Sequence, residues 1–270
     1  MRRPELPLIL ACCALLLAAC SKSPTVKPVK IRGTEQVAPV YRVQDGPETK
    51  RRVRVRDMLS LAAQRLAAGD VEAAGREAAR ALKLDPASAE AHTLLAAVAT
   101  AQGRDQAAGE HYRRAAELAP DRGEMLNNYG AWLCANGYPA ESLVWFDRAL
   151  VTPGYASPAA ALANAGGCAL RSGQLERAVH DLRAAIELDP VNAYALASLA
   201  EYEFRQGRYL QARAFVERRL AAAPADASVL QLAADIEQRL GDGVAASRYL
   251  QRLRTEFPQA ASANSGGNQQ

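Results

Sequence analysis

Five cysteines and three histidines are the side chains of this 270-residue chain best suited to bind a metal or attack an electrophile. His92, His111 and His180 lie in three separate stretches, and no two have the i, i+4 spacing of a helical zinc motif, so structural or surface roles are expected and no metal site. "GDGVAA", Gly241 to Ala246, spells a phosphate-binding G-x-G-x-x-A, but it follows a helical pattern rather than a strand and sits where a turn is needed anyway. Neither a G-x-S-x-G elbow nor a G-x-x-x-x-G-K-[ST] loop occurs. Catalysis therefore has no candidate residues, and neither an enzyme nor a bound small-molecule substrate is expected.

The cysteines divide into two groups. Cys12, Cys13 and Cys20 belong to an N-terminus that starts Met1-Arg2-Arg3 and runs uncharged from Leu6 to Ala19. Positive then apolar is the order of a secretion signal, and the run is too short for a bilayer, which needs about 20 residues. "LAAC", Leu17 to Cys20, resembles a bacterial lipobox. It implies a signal peptide at 1–19, cleavage before Cys20, and a lipidated Cys20 as the new N-terminus, a covalent lipid being the only cofactor expected. Each buried methylene contributes about 0.8 kcal/mol, so two or three acyl chains hold almost permanently. Ser21 rather than aspartate follows, which in bacterial lipoproteins implies the outer membrane, held through its inner leaflet on the periplasmic face.

Next comes a basic stretch. Between Lys22 and Asp57 ten Lys or Arg face four acidic residues, whereas the whole chain is only +4, so the remainder from Met58 is acidic on balance. Pro24, Pro28, Pro39 and Pro47 interrupt it without a helical period, and residues 20–54 read as a lipidated N-terminus and disordered tether, structureless until about Arg52. Such a coil reaches on the order of 30 Å. Attraction to anionic lipid, attraction to an anionic partner and a plain solvated spacer all fit it. Nucleic acid does not suit a secreted protein.

Beyond the tether the sequence repeats itself. Pro86, Pro120, Pro190, Pro224 and Pro258 recur at 34 residues or twice that, and Gly69, Gly103, Gly137, Gly173, Gly207 and Gly241 keep the same beat with one step of 36. The glycine ends a first helix where a left-handed turn costs least, and the proline stops a second. Small residues follow each glycine by five positions, at Ala74, Ala108, Ser142, Ala178, Ala212 and Ala246, where paired helices must nearly touch. Half the chain is hydrophobic by count but only 6% aromatic, the excess being alanine, the best helix former. The pattern is that of the tetratricopeptide repeat. It predicts an all-α superhelix of six helix-turn-helix repeats at 55–88, 89–122, 123–158, 159–192, 193–226 and 227–260, with a disordered tail at 261–270. In the third, Gly154 takes the proline's place and "TPGYASP" adds two residues, a tolerated loop or a contact point.

The second group of cysteines, Cys134 and Cys168, sits at matching places in consecutive first helices. A disulfide and a pair of buried free thiols are both consistent with that spacing. First helices of such arrays line a concave groove, and the positions facing it include Leu59, Ala63 and Leu66, then Thr93, Ala97 and Thr100, then Asn127, then Tyr194, Glu201, Phe204 and Arg205. Its N-terminal half suits an apolar segment and its C-terminal half a mixed one.

The third and fourth repeats are more specific than a generic repeat. "NYGAWLC", Asn128 to Cys134, then Tyr155 and Pro158, then "NAGGCAL", Asn164 to Leu170, resemble the type IV pilus biogenesis and stability lipoproteins of the PilF/PilW family of secretin pilotins. The resemblance implies an assembly factor that binds subunits of the pilus secretin and promotes their localisation and multimerisation. A repeat scaffold for another envelope machine, serving peptidoglycan synthesis or outer-membrane protein assembly, is the alternative.

Overall fold

A computed structural model describes residues 46–260. The signal peptide, Cys20, most of the tether and the 261–270 tail lie outside that range. Six helix pairs follow one another: α1 (Pro47–Ala67) with α2 (Val71–Leu84), α3 (Ala89–Ala101) with α4 (Asp105–Leu118), α5 (Gly123–Ala135) with α6 (Pro139–Leu150), α7 (Pro158–Arg171) with α8 (Leu175–Leu188), α9 (Ala193–Arg205) with α10 (Tyr209–Ala222), and α11 (Ala227–Leu240) with α12 (Gly243–Glu256). Each first helix packs on its own second helix and on the first helix of the next repeat, so the chain is an all-α tetratricopeptide-repeat array.

The punctuation does what its chemistry predicts. All six periodic glycines have φ between +68° and +93°, among the described residues a conformation that no other residue type adopts. Asp70, Ser88, Asn192, Asp226 and Asp242 accept a backbone N–H three residues on and so cap α2, α3, α9, α11 and α12. The small residues five past each glycine are all buried, none more than 3% exposed. Ser142, the one polar member, donates its hydroxyl to the Pro139 carbonyl at 2.7 Å, which removes the cost of burying it.

Two boundaries differ from the sequence reading. α1 begins at Pro47, so residues 47–54 are helical where the tether was expected to run on. Proline is at home in a first helical turn, Glu48 suits the dipole there, and Arg51 donates to Glu48 one turn back. Low hydrophobicity hid a helix that is nucleated from its packed end, where Val55 contacts Ala81 and Ala91. Pro158 likewise opens α7 instead of closing the third repeat. The inserted loop before it is pinned, because the Tyr155 ring lies over Gly123, where a Cβ would come within 2.5 Å.

That notch is one of several. A Cβ on Gly109 of α4 would sit 2.2 Å from the Trp132 indole of α5; on Gly130, 2.9 Å from Phe146; on Gly166, 2.6 Å from Leu182; on Gly167, 2.2 Å from the Tyr194 hydroxyl. Helical glycine costs about 1 kcal/mol relative to alanine, a cost the close packing here offsets. Trp132 is fixed further by its Nε1–H, which donates to the Asp105 carbonyl at 3.1 Å. Gly109→Ala should therefore destabilise the array by about 1 to 3 kcal/mol despite its better helix propensity, read as a lower melting temperature. A melting temperature equal to or above that of the wild type would contradict the packing assigned to Trp132.

Candidate binding groove

The first helices of the last three repeats line an open recess of about 1130 Å³. Its wall on α9 carries Tyr194, Ala197, Ser198, Glu201, Tyr202 and Arg205; α7 adds Gly167, Leu170 and Arg171, and α11 adds Gln231, Leu232 and Asp235. Tyr194 is half exposed, its ring laid over Gly167. The charges are largely paired within the wall: Arg205 with Glu201, and Arg219 with Asp226 at 2.9 Å while also donating to the Ala223 and Pro224 carbonyls. Gln231 donates to Asp235 at 2.8 Å. Amides, hydroxyls, compensated charges and apolar steps alternate, a surface for an extended segment of mixed character.

Tyr194, Glu201 and Arg205 line that recess. Phe204 does not: it packs against the Ala200, Val216 and Ile236 core and contacts Tyr209 at a ring separation of 5.6 Å. The contributions of α7 and α11 were missed, although Leu170, Gln231 and Asp235 follow from projecting the same heptad-like positions onto the fourth and sixth repeats.

The N-terminal half is shallower. Leu59 lines a recess of about 510 Å³ between α1 and α3 together with Arg51, Arg52, Val55 and Arg56, and its side chain also supports the Val55 core. Leu66 and Ala97 are half-buried, and Ala63 is exposed. The polar members serve the backbone and the joints: the Thr93 hydroxyl donates to the Ala89 carbonyl and lies 3.0 Å from Met125 Sδ, Thr100 donates to the Ala96 carbonyl, and Asn127 accepts from Asn164 Nδ2 at 3.1 Å. Asn127 therefore ties α5 to α7.

The same two helices are joined covalently. Cys134 and Cys168 form a disulfide with Cα atoms 5.9 Å apart, inside a cluster with Leu143, Phe146 and Ala178. On the chain-entropy account, closing a loop of 34 residues stabilises the fold by roughly 3 to 4 kcal/mol.

The histidines hold a finding that sequence separation concealed. His92 on α3 and His111 on α4 bring their Nδ1 atoms to 3.0 Å, one ring donating and the other accepting, because antiparallel pairing sets residues far apart in sequence side by side. Burial lowers the pKa of both below the usual histidine value. For His92 the charges of His111 and Arg114 add to the effect; for His111 Glu110 opposes it and Arg104 adds to it. His180 bonds Asp181 at the exposed surface. Among the described residues no three His, Cys, Asp or Glu side chains gather as a metal site would require. "GDGVAA" is a turn, with Gly241 at φ +83° ending α11 and Asp242 capping α12. No described helix is long and apolar enough to cross a membrane.

Comparison with known proteins agrees with the fold and narrows it. The tetratricopeptide repeat family profile matches residues 59–123 and 166–227. The crystal structure of PilW, described as a widely conserved type IV pilus biogenesis factor, superposes with a TM-score of 0.71 at 29% identity, covering 77% of this chain and 97% of that one. The structure of PilF from Pseudomonas aeruginosa gives a TM-score of 0.70 at 22% identity over 81% of this chain and all of that one. In sequence, the type IV pilus assembly protein PilF of Pseudomonas aeruginosa is 24% identical over 190 residues, 70% of this chain and 75% of its own length.

Two solution measurements check the geometry. Alkylation of unreduced, denatured protein followed by mass spectrometry should leave Cys134 and Cys168 unmodified; two labelled thiols there would refute the bridge. Because the folded state holds His92 and His111 below the unfolded value of about 6.5, their contribution to stability is complete above that pH and is lost as pH falls through the lower folded values. The melting temperature should fall between pH 7.5 and pH 5, and His111→Gln should flatten that slope; an unchanged slope would show that the pair does not titrate with unfolding.

Proposed function

We propose that this chain, an all-α tetratricopeptide-repeat protein related to the type IV pilus biogenesis factors PilF and PilW, is a lipid-anchored assembly factor for the pilus secretin. In this reading it is a binding protein and not an enzyme. It holds a secretin segment in the concave groove and promotes the subunit's localisation and multimerisation at the outer membrane. The observation that carries the reading is the extent of the likeness to PilW, 97% of that chain's length at 29% identity. The groove supports it physically, since stacked first helices present an extended recess with compensated charges and apolar steps. The lipobox supports the anchor: Cys20 supplies the address, on the periplasmic face of the outer membrane, and the tether supplies reach.

Deletion of the gene should abolish heat-stable secretin multimers in the outer membrane and, with them, surface pili. Leu66→Arg and Ser198→Arg, one in each half of the groove, should leave the melting temperature within a few degrees of wild type, and at least one should reproduce the loss of multimers. Normal multimers after deletion would defeat the reading, as would a chain that brings down wall synthases and no secretin. Normal assembly with both variants would move the binding surface away from the groove.

A further inference from the structure

The first helix is longer than its role in the array requires. α1 runs 21 residues, whereas the other first helices run 13 or 14. Its earliest residue buried in the core is Val55, against Ala81 and Ala91. The two turns before it, Pro47 to Arg54, form an overhang that is exposed at every position but Thr49, with Glu48, Arg51 and Arg52 at the rim of the recess that Asp85 and Glu90 also line.

What the overhang carries is charge of one sign. Lys50, Arg51, Arg52, Arg54 and Arg56 fall within seven positions, against Glu48 and Asp57. Arg51 is engaged by Glu48 at 3.0 Å and Arg56 by Asp57 at 3.6 Å, both in water, where such pairs contribute little. Among the described residues Lys50, Arg52 and Arg54 enter no ion pair. At 100° per residue these five surround the helix, so any flat surface it meets faces at least two or three of them. Isolated like charges at i, i+4, such as Lys50 with Arg54 and Arg52 with Arg56, work against the helix that displays them. No fold requirement explains their being there.

We propose that the overhang of α1 docks on the phosphate headgroups of an anionic lipid leaflet. The choice of lipid over an acidic protein rests on charge complementarity and on chain length. Residues 21–45 separate the helix from Cys20 and add five more basic residues against two acidic ones. Twenty-five residues reach at most about 85 Å even fully extended, so a lipid on Cys20 would confine the helix to the neighbourhood of the leaflet. Weak attraction then suffices, on the order of a fivefold gain per charge near the surface. Docking would set the N-terminal end of the array toward the membrane and leave the recess of the last three repeats turned to the periplasm. The orientation rests on the anchor proposed above; the affinity of the helix for lipid does not.

The test uses the chain from residue 20 with Cys20→Ser, so that no acyl chain contributes. It should co-sediment with vesicles of phosphatidylcholine containing one third phosphatidylglycerol and not with phosphatidylcholine alone, and half-molar salt should release it. Inorganic phosphate at the concentration of the accessible lipid phosphate, with ionic strength held constant, should not compete, which separates a headgroup surface from a free-anion site. Reversal of the overhang by Arg52→Glu with Arg54→Glu, which removes two positive charges and adds two negative ones, should lower binding about twenty-fivefold or more. Circular dichroism should show the fold unchanged. A fluorophore at Val53→Cys should respond to anionic vesicles and one at Val244→Cys, at the far end, should not. Absence of binding, equal binding by the reversed variant, or a Val53 probe that senses no vesicle would each overturn the proposal. None of these outcomes bears on whether Cys20 is acylated in the cell.

Discussion

The array depends on helices approaching until backbone meets side chain, which only small side chains permit: alanine, glycine and, at Ser142, serine. An alanine core is thin: each buried methyl contributes on the order of 1 kcal/mol at most, far less than a leucine. The chain compensates in two ways. It places its few aromatics flat on glycine backbone, Trp132 on Gly109 and Phe146 on Gly130, so that large surfaces are buried without pushing helices apart. Beside them it adds the Cys134 to Cys168 bond. Both devices concentrate in the third and fourth repeats.

That concentration has a mechanical reading. In a repeat array each unit touches only its neighbours, so stability is a sum of units and joints, and the weakest joint sets where the array opens. The third repeat carries a longer link and lacks the usual proline, which would weaken the joint at α7. Two ties cross the break, the disulfide and the Asn127 to Asn164 bond between α5 and α7, and Tyr155 folds the link itself back onto Gly123 of α5. The residues that set the third and fourth repeats apart from the others in this chain are therefore mainly those that hold the middle together.

Sequence reasoning reached what the period controls and missed what it does not. Gly69 to Gly241 and the buried small residues were legible because a positive φ and a close approach each demand one residue type, and the demand recurs every 34 positions. The start of α1 was not, because a helix stabilised at its far end needs no local hydrophobic signal. The His92 to His111 pair was invisible for a related reason: its partners belong to different helices, and contact across an antiparallel pair has no fixed spacing. Phe204 was misplaced because its position in the first helix lies at the edge between groove and core, and a bulky ring takes the core side.

The chemistry of the recess along α7, α9 and α11 follows from this division. Its ionic groups are already satisfied by neighbours, Arg205 by Glu201 and Asp235 by Gln231, so an incoming segment must exchange bonds rather than complete them. Exchange yields little net free energy per contact, and affinity must then come from the length of the segment and from Tyr194, Leu170 and Leu232. A groove of this kind selects register and shape more than composition. Modest affinity is sufficient for a protein that a lipid on Cys20 would hold at the same surface as its partner, because tethering raises the local concentration by orders of magnitude. It also lets a bound segment leave again.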